Sequence, residues 1–76
     1  MPKITWNIPQ RQKEIAEELR ERYGGMMTAS DVMRELGLNH DAPTTRWLEG
    51  VPAVIVNNRK RYRVSDIASK IYRESV

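Results

Sequence analysis

The sequence predicts a mainly α-helical domain closed by one small β-hairpin, and three observations predict it. Apolar residues recur at helical spacing in separate stretches bounded by Gly24-Gly25, Gly37 and Gly50. A β-branched run, Ala53-Val54-Ile55-Val56, is followed by the turn signal Asn57-Asn58 and an alternating arm, Arg61-Tyr62-Arg63-Val64. The chain has 76 residues, the size of one small domain. Such a domain buries only about 60% of its unfolded surface, so its core is thin.

Each element has a local reason. Asn7 is placed to cap a first helix, with Pro9 tolerated in its first turn. Ile8, Ile15, Ala16, Leu19 and Tyr23 fall on one helical face. The opposite face carries Lys13, Glu14, Glu17, Glu18, Glu21 and Arg22. There the like-charged pairs Glu14–Glu18 and Glu17–Glu21 oppose the favourable Glu18–Arg22. Gly24-Gly25 stops this helix. Thr28 begins a second, with Asp31 three residues on as a capping-box variant, and Val32, Met33 and Leu36 facing inward. Gly37 is the left-handed turn residue, after which Leu38 tucks back. Asn39 or Asp41 caps a third helix, Pro43 lies in its first turn, Trp47 and Leu48 are its buried residues, and Gly50 ends it. After the hairpin, Ser65 caps a last helix whose apolar side is Ile67, Ala68 and Ile71, with Tyr72 adding to it.

Composition narrows the function classes. Hydrophobic residues make up 39% and charged residues 30%, which suits a soluble folded domain and not a disordered segment. Phe is absent, so Trp and Tyr supply the aromatic bulk, and Trp6 is expected to cap the core. Cysteine is also absent, which excludes a disulfide framework and a cysteine-liganded zinc site and fits a reducing cytoplasm. No apolar run approaches the ~20 residues that span a bilayer, and the polar start, Pro2 to Asn7, has no hydrophobic signal core. With one His, no Cys and no Gly-rich phosphate loop, the chain is expected not to be an enzyme and to need no cofactor or metal.

The net charge is +3, and its distribution is more telling than its total. The first helix is balanced, the segment from Gly24 to Gly50 is acidic, and positive charge concentrates from Val51 onward. Arg59, Lys60, Arg61 and Arg63 place four cations in five positions of the hairpin's return arm. One Lys suffices to protect an exposed edge strand from aggregation, so four cations point to an anionic partner.

Two helices joined by a Gly turn and followed directly by a hairpin form a winged helix-turn-helix pattern. The order and spacing of Met27-Thr28-Ala29-Ser30-Asp31-Val32, Leu36-Gly37-Leu38, Arg46-Trp47-Leu48-Glu49-Gly50, Pro52-Ala53-Val54, Arg61-Tyr62-Arg63-Val64 and Asp66-Ile67 resemble the excisionase branch of the MerR-like winged-helix superfamily. The resemblance implies a single DNA-binding domain over residues 1–76. Within it lie an N-terminal extension helix (1–24), a helix-turn-helix (27–50), a wing hairpin (53–64) and a C-terminal helix (65–74). It implies a third helix in the major groove of double-stranded DNA, a wing along the neighbouring minor groove or backbone, and an aromatic packed against the second helix. It implies no catalytic residues. The expected role is that of a phage or mobile-element accessory factor that bends DNA, self-associates cooperatively on it and steers an integrase or other recombinase towards excision. Two features depart from the family pattern. The segment Asn39 to Trp47 is one residue longer, and the first 24 residues have no counterpart in the minimal domain. The extension is expected to brace the core, mediate self-association or contact another protein.

The candidate DNA-binding residues are His40, Thr44, Thr45, Arg46, Arg59, Lys60, Arg61 and Arg63. Arg46 turns about 100° away from a buried Trp47, towards a groove-facing side, although a salt bridge to Glu49 is its bland alternative. Thr44 and Thr45 suit thymine methyls or phosphates, with Thr44 at a position where relatives often carry a core Val. His40 suits a phosphate. If residues alternate along the hairpin, Tyr62 packs on the third helix while Arg61 and Arg63 form the opposite, cationic side. The helix and the cationic arm must then meet one polyanion from the same side. A phage or mobile-element transcription regulator, or a packaging DNA-recognition domain, is the alternative within DNA binding. A protein-interaction module that has lost DNA affinity is the alternative outside it.

Overall fold

The computed structural model describes residues 8–75. The order is α1 (Gln10–Tyr23), β1 (Met26–Met27), α2 (Ala29–Leu36), α3 (Asp41–Trp47), β2 (Ala53–Val56), β3 (Arg59–Arg63) and α4 (Val64–Ser75). The fold is mainly helical, with a three-stranded antiparallel sheet in the order β1-β3-β2. The expected caps at Asn7 and Trp6 lie outside the described residues.

Helix α1 runs along α4 and builds the larger part of the core with it. Ile15 and Leu19 are buried with Val64, Ile67 and Ala68, and Ala16, Tyr23, Ile71 and Tyr72 pack at the margin. Of the three roles open to the extension, bracing the core is therefore one that it performs. Ile8 does not join this face. It is 48% exposed, because helical geometry starts only at Gln10 and Ile8 falls before the N-cap, Pro9. A second tie holds the far end of α1. The Arg22 guanidinium meets both carboxylate oxygens of Glu35 on α2, at 2.6 and 2.8 Å, and the Tyr23 hydroxyl donates to Oε1 of the same group at 3.0 Å. Partial burial, reinforced by this hydrogen bond, pushes the Tyr23 phenol above its usual range, and Glu35 raises Arg22.

Helix α2 starts as its sequence dictates. Thr28 Oγ1 accepts from the Asp31 amide and Asp31 Oδ2 accepts from the Thr28 amide, both at 3.1 Å. Thr28→Ala is expected to cost about 1 kcal/mol, read as a shift of the urea midpoint at unchanged slope. Gly37 ends α2 at φ 72°, ψ 24°, a left-handed conformation that a Cβ strains, and the Leu38 amide returns to the Met33 carbonyl at 2.9 Å.

Helix α3 differs from expectation at both ends. Its N-cap is His40, and neither Asn39 nor Asp41 takes that place; the His40 side chain makes no capping bond. The Thr44 hydroxyl instead donates to the His40 carbonyl at 3.1 Å. Trp47 is half-buried at the edge of the core, not within it, and its polar contacts are to α4. Its indole Nε1 donates to Glu74 at 2.9 Å, its ring lies 4.7 Å beneath the Lys70 ammonium, and its carbonyl accepts a hydrogen bond from Lys70. A tryptophan near a helix C-terminus is held well by a cation from the next helix, which meets both the ring and the negative end of the helix dipole.

The hairpin closes on Asn57 and Asn58 at φ 52° and 65°, the two consecutive left-handed residues of a two-residue turn. Ala53 pairs Tyr62, Val54 pairs Arg61, Ile55 pairs Lys60 and Val56 pairs Arg59. Strand β1, absent from the sequence expectation, pairs Met26 with Arg63 and Met27 with Tyr62. Met27 is fully buried and, with Tyr62, anchors the sheet on the helices. The hairpin ends at Arg63, and β3 passes into α4 without a loop. Val64 is the first helical residue and Ser65 is not the cap. The Val64 amide donates to the Gly25 carbonyl at 3.0 Å, so a neighbouring turn does the work a side-chain cap was expected to do.

Candidate nucleic-acid interface

A groove of about 550 Å³ separates α3 from the hairpin. Thr45 and Glu49 form one wall and Ala53, Arg59 and Lys60 the other, over a floor of Leu48 and Tyr62. The helical period explains the first wall. Thr44 and Leu48, four residues apart, are buried, which turns Thr45 and Glu49, also four apart, towards the hairpin. Arg46, exposed, stands on the side of α3 opposite the buried pair.

The structure treats the sequence candidates unequally. Thr45, Arg59 and Lys60 meet in this one groove, with Arg46 on the same helix beside it. His40 is exposed at the start of α3 and does not line the groove. Thr44 is not a contact residue. It is 2% exposed and its hydroxyl is committed to the His40 carbonyl, because a polar group in a core must be satisfied locally. The four cations of β3 do not act as one set. Period-two alternation puts Tyr62 on the core face and Arg61 and Arg63 on the opposite face, beside Val54 and Met26. Arg61 and Arg63 do not line the groove beside α3. Of the four, the two nearest the turn, Arg59 and Lys60, line this groove with the helix.

The ion pairs among the described residues are Arg11–Glu14 and Arg22–Glu35. Neither involves α3 or the hairpin, so the Arg46–Glu49 bridge, the alternative role for Arg46, is not formed. The five cations Arg46, Arg59, Lys60, Arg61 and Arg63 thus stand without a carboxylate within 4 Å among the described residues. Such a surface attracts a polyanion because release of its counterions adds to the binding free energy.

Sequence reasoning missed Glu49 as part of this site. Its charge was visible, but its place four residues after Thr45 becomes meaningful only once the hairpin is known to face that side. A carboxylate on a groove that holds Arg59 and Lys60 opposes an anionic ligand. Glu49→Gln is expected to strengthen duplex binding by up to about 1 kcal/mol at low salt, measured by fluorescence anisotropy, with the gain shrinking as salt rises. Among the described residues no helix is long and apolar enough to cross a membrane. Comparison of the chain with protein-family models, with curated proteins and with solved structures found no match.

Proposed function

We propose that this protein is a sequence-specific double-stranded DNA-binding protein of winged helix-turn-helix type, without catalytic activity of its own. In this reading α2 and α3 are the helix-turn-helix and the β2–β3 hairpin is the wing. The observation that carries it is the groove between α3 and the hairpin, where Thr45 faces Arg59 and Lys60 and no ion pair neutralises those cations. A duplex places a sugar-phosphate ridge between its major and minor grooves. With α3 in the major groove and the hairpin in the adjacent minor groove, that ridge occupies the space between them. Thr45 and the two cations then hold phosphate oxygens, and Arg46 reaches base edges.

The biological role proposed is that of an excisionase-type accessory factor, which bends DNA and directs a separate recombinase towards excision. Its support is the resemblance in the order and spacing of the motifs from Met27 to Ile67. Anisotropy titration against duplex DNA from the region flanking the encoding gene tests the binding. Affinity is expected to fall linearly in log–log form with salt, by close to 0.9 in slope for each phosphate contacted. Absence of salt-sensitive binding at low ionic strength removes the proposal and leaves the protein-interaction module in its place. Stimulation of excision by the co-resident integrase distinguishes the excisionase role from promoter regulation. Arg46→Ala is expected to cost ~1–3 kcal/mol on the preferred site and much less on unrelated duplex, which a competition titration reads directly.

A further inference from the structure

The end of the hairpin carries a second feature besides charge. Ile55 is 61% exposed and Val56 is 40% exposed, beside the Asn57-Asn58 turn. Ile55 lies on the same sheet face as Tyr62, yet Tyr62 is buried. The hairpin therefore overhangs the helices beyond Ala53, and among the described residues its last two residue pairs are left exposed. In those pairs each face bears one β-branched side chain next to one cation: Ile55 beside Lys60, and Val56 beside Arg59.

We infer that Ile55, with Lys60 beside it and Val56 and Arg59 on the opposite face of the ribbon, is an apolar wedge that enters the minor groove and partly unstacks a base step; this rests on the duplex-binding reading. Charge selects the occupant. Strand β2 is a free edge of the sheet, and a second copy pairing there brings two sets of Arg59 and Lys60 together with no counter-charge. A duplex supplies that counter-charge on both sides of the ribbon. Width requires the wedge. The minor groove of B-form DNA is about 6 Å across, too narrow for a two-stranded ribbon with side chains on both faces. An apolar group inserted at a base step opens the groove and kinks the duplex away from the protein, and the cations then grip the widened backbone. Flexible pyrimidine–purine steps such as TA yield most readily.

The test uses the full chain and a duplex about 30 base pairs long with 2-aminopurine at a central TA step, followed by anisotropy for binding and by 2-aminopurine emission for unstacking. Wild type is expected to raise the emission several-fold on binding. Ile55→Thr keeps the β-branched shape at an exposed position, so the hairpin persists. It is expected to bind within about tenfold of wild type and to lose most of the emission rise. Ile55→Leu is expected to retain the rise. Equal emission from Ile55→Thr and wild type, or binding by wild type with no rise, overturns the wedge and leaves duplex binding intact. No salt-sensitive binding by wild type takes down the duplex reading and the wedge with it.

Discussion

Alanine at Arg59 and Lys60 together is expected to reduce duplex affinity far more than alanine at Arg61 and Arg63, although each double variant removes the same formal charge. Arg59 and Lys60 line the groove with Thr45, whereas Arg61 and Arg63, further from the turn, do not. The first variant is expected to lower the salt slope by about two units, one for each lost phosphate contact, on specific and unrelated sequences alike. The second acts through the general field and is screened within about 10 Å at 0.1 M salt, so its effect fades as salt rises. Replacement of all four is expected to leave little binding at physiological salt. Circular dichroism controls for folding, and both tip residues are exposed, so the fold tolerates their loss. If the four-alanine variant stays folded and binds with unchanged salt dependence, the hairpin plays no part in DNA contact.

Ile67→Ala is expected to be the most damaging single core change. Ile67 is fully buried, and it lies in the cluster that joins α1 to α4. Truncating a buried Ile to Ala costs about 2–5 kcal/mol, transfer and cavity together. A domain of 76 residues holds roughly 4–11 kcal/mol in all. At about 4–8 °C for each kcal/mol, the thermal midpoint falls by about 8 °C at the least. Ile8→Ala is the matched control. Ile8 also fits the apolar period of α1, but it precedes the helix and is half exposed, so its loss is expected to shift the midpoint little. Comparable shifts in the two variants contradict the packing of α1 on α4 described above.

Where the chain obeyed local rules, the fold was legible. The Thr28–Asp31 box, the left-handed Gly37 and the Asn57-Asn58 turn each depend on residues within four positions of one another. Buried Ile15, Leu19, Ile67 and Ala68 follow helical spacing alone. Other features depend on partners distant in sequence. Met26–Met27 is a strand only because Tyr62 and Arg63 pair with it. Val64 opens α4 because the Gly25 carbonyl receives its amide. Trp47, large and apolar, reads as core, yet Lys70 and Glu74 hold it at the surface between α3 and α4.

The candidate site divides along the same line. The sequence by itself determined which residues carry positive charge, that they crowd one hairpin arm, and that Tyr62 opposes Arg61 and Arg63 across the strand. Those facts follow from composition and a period of two. Tertiary structure alone decided which cations keep company with α3, that Thr44 is spent on the core, and that Glu49 stands opposite Arg59 and Lys60. The physical reason is that a strand's alternation specifies two faces but not which one the helices will cover. That choice is made by burial, where Met27 and Tyr62 bury together against the helices and so commit every other side chain of the hairpin to its side.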